Sequence, residues 1–199
     1  MKKVVLGLFV ATAVLMGAAS AQAQIFKLSL WGDICVPNGD YTSGLELGIG
    51  TETKAVDGVQ FGIIYSQTDK LQGVQFGLIN STKEEIGVQF GFINITENGL
   101  GVQEGLVNVA QNFKGEQYGF VNWTSDELIG LQFGLLNVIK GTGKGAQIGI
   151  VNYSEDFKGL QLGILNWTET IKGVQVGLVN IIENKPNLLP VFIIFNYGF

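Results

Sequence analysis

The sequence predicts an all-β repeat protein, and three observations support this fold class. Ten tandem units carry the motif Gly-x-Gln-x-Gly-x-x-Asn, with a few substitutions, and their first residues lie 14 or 15 residues apart. Apolar residues alternate with Gly and Gln inside each unit, which is the period of a β-strand with one apolar face. Short polar segments separate the units and are typical of turns. An array of this regularity indicates a repeat architecture.

The chain begins with the features of a secretory signal peptide. Lys2 and Lys3 precede an apolar run over residues 4–18 and a sequence of small residues that ends at Ala23. The apolar run is shorter than the roughly 20 residues that a membrane-spanning helix needs. We therefore predict that residues 1–23 are a signal peptide, that cleavage follows Ala23, and that the protein is exported to the outer membrane or cell surface.

Residues 24–199 are predicted to form a single β-repeat domain. It has an entry strand at about 25–31, ten repeats over 44–188 and a closing strand over 189–199. The repeats begin at Gly44, Gly58, Gly73, Gly87, Gly101, Gly115, Gly130, Gly145, Gly159 and Gly173.

Each unit, numbered from its first Gly, has a small polar face and an apolar face. Position 5 is Gly in all ten units, position 3 is Gln in nine and Glu46 in the first, and position 8 is Asn in eight. We attribute the repeated Asn to turn chemistry, because its side chain bonds nearby backbone groups. Positions 2, 4 and 6 are apolar almost throughout, as in Val88, Phe90 and Phe92.

These repeats resemble a known group of proteins. The tandem Gly-Val-Gln-Phe-Gly-Leu-Ile-Asn units, the leading residues 28–31 (Leu-Ser-Leu-Trp) and the closing residues 190–196 are similar to the uncharacterised bacterial "surface repeat" family. The resemblance covers nearly all of the chain after the signal. It implies export and a place at the cell surface, and it brings no activity, substrate or catalytic residue with it.

The first architecture that fits is a 12-stranded up-and-down β-barrel of the outer-membrane type. Ten repeats and two flanking strands give an even number, and positions 2, 4 and 6 would face lipid while Gly and Gln line the lumen. The last strand places aromatic and aliphatic residues on one face, and aromatic residues follow three of the repeat Asn, as at a membrane interface. These residues are Val191, Ile193, Phe195, Tyr197 and Phe199, and then Trp123, Tyr153 and Trp167.

The alternative is a β-solenoid with about 14 residues per coil. Its parallel strands would stack identical residues into Gln and Asn ladders around an apolar core of positions 2, 4 and 6. The units show no two-unit alternation, which a barrel with turns in two compartments would favour. Glu104 and Glu116 occupy lipid-facing or core-facing positions in either architecture.

Composition excludes most catalytic chemistry. The chain has no His and one Cys, Cys35, so His-dependent nucleophiles, His metal sites, thiolate clusters and internal disulfides are all excluded. The net charge of −5, with 12 basic residues, gives no support for nucleic-acid binding. We interpret the acidic pairs Glu84-Glu85 and Asp126-Glu127 as solvated turns, and the Gly-rich stretch 141–145 as a flexible turn.

The sequence therefore predicts a protein that is not an enzyme, with no catalytic, cofactor-binding or metal-binding residues. The predicted role is that of a cell-envelope repeat protein with a structural, display or passive pore function, and outer-membrane lipid is its expected partner. The alternative is a secreted or surface-attached β-solenoid that acts as an adhesin-like binding module for a host or envelope partner.

Overall fold

The computed structural model describes residues 24–32, 34–184 and 190–198. The predicted signal peptide, the end of the predicted repeats over 185–188, and the first and last residues of the predicted closing strand, Leu189 and Phe199, lie outside the described residues. Seven strands follow one another along the chain: β1 (Gln24–Trp31), β2 (Ile34–Val36), β3 (Tyr41–Phe76), β4 (Ile79–Phe90), β5 (Ile93–Glu104), β6 (Val107–Ile182) and β7 (Val191–Gly198). They form one sheet in the order β2-β1-β3-β4-β5-β6-β7.

The repeat units stack in parallel and in register. Gly73 of β3 pairs with Gly87 of β4, and Gly87 pairs with Gly101 of β5, so each residue faces its equivalent 14 residues further along the chain. The 76 residues of β6 would extend about 250 Å as a straight strand. Instead, Gly130 packs against the carbonyl of Gly115, one unit earlier, so β6 winds through several coils. The fold is a β-solenoid with about 14 residues per turn.

The prediction of a 12-stranded up-and-down barrel is therefore wrong, and the β-solenoid alternative is confirmed. Neighbouring strands of an up-and-down barrel are antiparallel, whereas β3, β4, β5 and β6 pair with one another in parallel. Antiparallel pairing occurs at the two ends of the array, between β1 and β2 and between β6 and β7. The winding of each unit into a full turn is the physical reason, since it returns the chain to its starting side.

A corner inside the motif produces this winding. β4 begins at Ile79 and β5 at Ile93, directly after breaks at residues 77–78 and 91–92, which are positions 5 and 6 of their units. Positions 7–10 form the second side of the coil. A second corner follows at positions 11 and 12, or as far as position 13 in the 15-residue units, and the residues after it join positions 1–4 of the next unit to form the first side. The eight-residue motif is thus two short strands joined at a Gly and not one straight strand.

The interior of the coil is polar, and the predicted apolar core of positions 2, 4 and 6 is wrong. The Gln at position 3 and the Asn at position 8 are fully buried, with 0% exposure, whereas Phe92 and Phe120 at position 6 are 57% and 58% exposed. The main apolar cluster lies near the second corner, at position 10 and at position 13, or position 14 in a 15-residue unit. It comprises Ala110, Phe113, Leu128, Ile139, Phe157, Ile171 and Ile182.

The two ends of the solenoid are covered by strands that lack the motif. β1 pairs in parallel with the start of β3 and antiparallel with β2, and β7 pairs antiparallel with the last coil. In the part of the chain that the structure describes, no helix has the length and apolar character needed to cross a membrane.

Candidate functional site: polar ladders and an apolar exterior

A ladder of Gln side chains runs along the interior. The Nε2 of Gln89 donates to the Oε1 of Gln75 at 2.8 Å, and the Nε2 of Gln103 donates to the Oε1 of Gln89 at 2.9 Å. The same bond recurs between every neighbouring pair of position-3 Gln side chains from Gln60 to Gln175, at 2.7–2.9 Å. All donors point toward the N-terminal end of the solenoid.

A second ladder, of Asn side chains, points the opposite way. The Nδ2 of Asn94 donates to the Oδ1 of Asn108 at 2.8 Å, toward the C-terminal end, and this bond recurs from Asn80 to Asn180. The second amide proton of Asn94 bonds the backbone carbonyl of Glu104 across the first corner. Chains of aligned amide bonds polarise one another. Because the two ladders run in opposite directions, their side-chain dipoles oppose each other.

Turn chemistry is therefore the wrong explanation of the repeated Asn. Its side chain connects neighbouring coils through the ladder, and through its bond to a backbone carbonyl it joins the second side of one coil to the first side of the next. Sequence reasoning also missed the Thr at position 10. The hydroxyl of Thr82 donates to Gln75 and accepts from Gln89, which links the second side of the coil to the Gln ladder. The recurrence of Thr two residues after Asn was the available signal.

A buried ion pair ends the Gln ladder. Glu46 stands in the position-3 column with 0% exposure and accepts from the Nε2 of Gln60 at 3.1 Å and from the hydroxyl of Ser29 at 2.8 Å. Thr53 donates to the same carboxylate, and the Nζ of Lys27, itself 1% exposed, lies 3.4 Å from it. A carboxylate only accepts hydrogen bonds, so it suits the end toward which all Gln donors point.

The other ladder ends lack such a partner. Among the described residues, the Oδ1 of Asn80 and the Oε1 of Gln175 have no hydrogen-bond donor. Ser66 occupies the Asn column one coil before Asn80, and its hydroxyl proton bonds the carbonyl of Phe76. Because a hydroxyl carries one proton, Ser66 has none left to donate to the Oδ1 of Asn80.

Replacing Ser66 with Asn is expected to stabilise the protein. The new amide has two protons, one for the carbonyl of Phe76 and one for the Oδ1 of Asn80, so it adds a rung to the Asn ladder. We expect an increase of about 1 kcal/mol in the free energy of unfolding, the net value of one buried hydrogen bond. Urea unfolding measures it. Ser66→Ala, which removes the existing bond, should lower the free energy of unfolding, and equal values for both variants would contradict this account.

Glu85 is a buried carboxylate in the apolar column at position 13. It is 2% exposed, one oxygen accepts from the Thr96 hydroxyl at 2.8 Å, and the other has no donor among the described residues. Leu71 occupies this column one unit before Glu85, and Gly99 and Phe113 occupy it one and two units after. Burial raises the pKa of Glu85 to about 7, and the bond from Thr96 opposes the rise only in part. Interpreting the pair Glu84-Glu85 as a solvated turn is wrong for Glu85.

The stability of the protein is expected to fall between about pH 4.5 and pH 7 because of Glu85. In that window the folded state keeps a proton that the unfolded state releases, so the free energy of unfolding decreases as pH rises, by about 3 kcal/mol in total. Glu85→Leu should be more stable than the wild type at pH 8 and should lose this slope. Urea unfolding across the pH range measures the difference. Glu84→Gln, at an exposed neighbour, should leave the slope in place, and a slope that survives in Glu85→Leu contradicts the assignment.

The exterior carries an unbroken row of large apolar side chains along the first corner. All ten units place Ile, Leu or Phe at position 6, and each of these side chains is 39–63% exposed. We call this row the apolar edge. It comprises Ile49, Ile63, Leu78, Phe92, Leu106, Phe120, Leu135, Ile150, Ile164 and Leu178.

The apolar surface continues from this edge onto both sides of the coil. Positions 2 and 4 point outward on the first side, where Phe61 and Phe133 are 43% and 51% exposed. The rings of Phe76 and Phe90 stack there with centroids 5.2 Å apart. Positions 7 and 9 point outward on the second side and include exposed Ile79. Three of the four surfaces of the coil are therefore largely apolar.

The second corner, at positions 11 and 12 or as far as position 13 in the 15-residue units, carries the charge, and we call it the charged edge. Exposed ion pairs connect neighbouring coils there, such as Lys70 with Glu84 at 3.5 Å and Lys83 with Asp69 at 2.9 Å. Close to this edge on the second side, the Nζ of Lys140 lies 4.9 Å from the ring centroid of Tyr153 and 5.8 Å from that of Trp123.

Glu104 and Glu116 interrupt the first side at the middle of the array. Glu104 pairs in register with Tyr118, whose hydroxyl donates to Glu116 at 2.6 Å. That hydrogen bond, with burial and the nearby carboxylates, raises the pKa of the Tyr118 hydroxyl. Glu104 also borders a groove of about 480 Å³ whose floor is Gly and whose walls include Phe120 and Phe133.

The remaining predicted features have plain structural positions. Asp126 lies on the charged edge and accepts from Gln111 at 2.9 Å. Residues 141–145 are part of β6: they begin at the second corner with Gly141 and continue as strand toward the next unit, so reading the whole stretch as a flexible turn is wrong. Cys35 is partly buried and forms no disulfide. Within the described residues, no group of three or more His, Cys, Asp or Glu side chains is placed to hold a metal ion.

Comparison with family models, with curated proteins and with solved structures finds no match for this chain. The resemblance to the surface repeat family therefore stays a prediction that rests on the repeat motif.

Proposed function

We propose that the chain is an exported, non-catalytic binding and display module, attached to the outer membrane or cell surface as an adhesin-like β-solenoid. One observation supports this function above all others. The Gln and Asn ladders occupy the interior of the coil, and the large apolar side chains point outward. Partners therefore meet the exterior of the solenoid, and a passive pore, which needs an open lumen, is not part of the proposal.

The predicted export signal and the surface repeat motif support the location. A rigid solenoid stabilised by backbone and side-chain ladders presents the same surface over its whole length, which suits a binding or display role. Contiguous exposed patches of large apolar side chains mark interaction sites on protein surfaces.

Fractionation of expressing cells tests this function. The protein should appear in the envelope fraction, and protease added to intact cells should cleave an epitope tag inserted on the charged edge at Asn98, where the chain is exposed. An epitope tag on a cytoplasmic protein serves as the control. Recovery of the protein in the cytoplasm, with its tag protected on intact cells, would contradict the proposal.

A further inference from the structure

We infer that the partner of the apolar edge is a lipid leaflet, into which the solenoid inserts edge first while its charged edge stays in water. This inference rests on the proposed function and names the partner of the same exterior surface. It places the solenoid in one leaflet, lying along the membrane plane, and not across the bilayer.

The distribution of the apolar surface selects lipid over a second protein. The apolar edge and both adjoining sides expose large side chains, including Phe120 at the edge, Phe133 on the first side and Ile79 on the second. A docked protein or a second copy covers one of these surfaces and leaves the others in water. The acyl chains of a leaflet contact the apolar edge and both adjoining sides at the same time.

The dimensions of the coil fit one leaflet. Measured from the apolar edge, the four residues of the second side and positions 4 to 1 of the first side each span about 13 Å, at about 3.3 Å per residue. Half of a hydrocarbon core of about 30 Å is about 15 Å. The backbone bonds run from coil to coil along the solenoid, so along most of its length an inserted edge carries no unpaired peptide groups into the lipid.

The polar and aromatic side chains lie at the depth that this orientation requires. Trp123, Tyr153 and Trp167 are at position 9, three residues or about 10 Å from the apolar edge. This is near the boundary between hydrocarbon and headgroups, where Trp and Tyr concentrate in membrane proteins. Lys140 lies over two of these rings and can reach headgroup phosphates from the charged edge.

Glu104 opposes insertion and so provides a sharp test. It is at position 4, about 7 Å from the apolar edge, and it is the one charged residue at positions 4, 6 and 7 of the ten units. A carboxylate within the hydrocarbon is unfavourable. Replacing Glu104 with an apolar residue should therefore strengthen binding to lipid. If the partner were instead a protein with a basic group opposite Glu104, the same replacement would weaken binding.

Flotation with phosphatidylcholine vesicles tests the inference on the full chain as isolated from expressing cells. We expect wild-type protein to float with the vesicles and the triple variant Leu106→Asn, Phe120→Asn, Leu135→Asn to partition at least tenfold less. Glu104→Leu should partition several-fold more. The matched control Glu97→Asn, Asp126→Asn, Glu127→Asn, on the charged edge of nearby coils, should stay within about twofold of wild type.

All seven changed side chains point outward, so we expect every variant to fold. Circular dichroism and urea unfolding check that each one does. Wild-type protein that stays at the bottom of the gradient would overturn the inference. So would an edge variant that floats like wild type, or a Glu104→Leu variant that floats less. If the protein is found on the surface of intact cells but does not float with vesicles, the proposed function stands and the lipid partner is wrong.

Discussion

Replacing Lys27 with Met is expected to lower the free energy of unfolding by about 3–5 kcal/mol, because it leaves the buried carboxylate of Glu46 without its counter-ion. The Lys27 Nζ also donates to the backbone carbonyls of Gly39 at 3.1 Å and Glu52 at 3.3 Å. These bonds hold the first coil against β1, so their loss adds to the cost. Chemical denaturation followed by circular dichroism measures the change.

Two further variants distinguish the loss of the buried ion pair from a nonspecific effect of replacing a lysine. Lys54→Met removes a lysine whose partner, Asp40, is exposed, and it should leave the unfolding midpoint almost unchanged. Adding Glu46→Gln to Lys27→Met should recover most of the lost stability, since Gln continues the ladder in every later coil. A loss for Lys27→Met no greater than that for Lys54→Met would show that the pair is not buried.

Replacing Gly115 with Ala is expected to lower the free energy of unfolding by about 4 kcal/mol or more. Gly115 has a φ of +138°, a backbone conformation that side chains disfavour. Its added Cβ would also lie 1.9 Å from the carbonyl oxygen of Gly101 in the coil below, so neighbouring coils would have to separate. Thermal and urea unfolding measure the effect.

Gly39→Ala is the matched control for this glycine. The nearest atom to its added Cβ is the end of the flexible Gln24 side chain, which can move away at little cost. We expect a change well below 1 kcal/mol. Similar stability of Gly115→Ala and Gly39→Ala would contradict the close stacking of position-1 glycines.

The spacing of the motif predicted much of the fold. Identical residues at intervals of 14 or 15 predict Gln and Asn ladders if neighbouring units are parallel, and those ladders are present. The lack of a two-unit alternation pointed to parallel units as well. The spacing could not show whether each unit is one straight strand or two short strands joined at a corner. Both arrangements give the same alternation of apolar and polar residues.

The corner did leave a signal in the sequence. Apolar residues stand next to each other at positions 6 and 7, as in Phe92 and Ile93, which breaks the alternation of a single strand. After the break, Asn94 at position 8 points inward, in phase with Gln89 on the other side of the coil. Reading the break as a corner would have placed both amides inside.

The direction of the apolar face was harder to predict for a physical reason. Apolar side chains are usually removed from water. This rule predicted that positions 2, 4 and 6 face either lipid on the outside or an apolar core on the inside. Amides that bond to one another are satisfied without water, so rows of Gln and Asn can fill an interior where apolar side chains are usually expected. Glu85 was missed for a related reason, because its neighbour Glu84 is exposed and the two look alike in sequence.

Distances between spin labels at position 11 test the parallel solenoid most directly. Labels on the pairs 97 and 155, 83 and 169, and 54 and 169 are four, six and eight units apart. At about 4.8 Å per coil, the solenoid requires backbone separations of about 19, 29 and 38 Å, which increase steadily with the number of units. In a closed ring of twelve strands, four and eight steps span equal chords. An eight-unit distance equal to the four-unit distance would therefore contradict the solenoid.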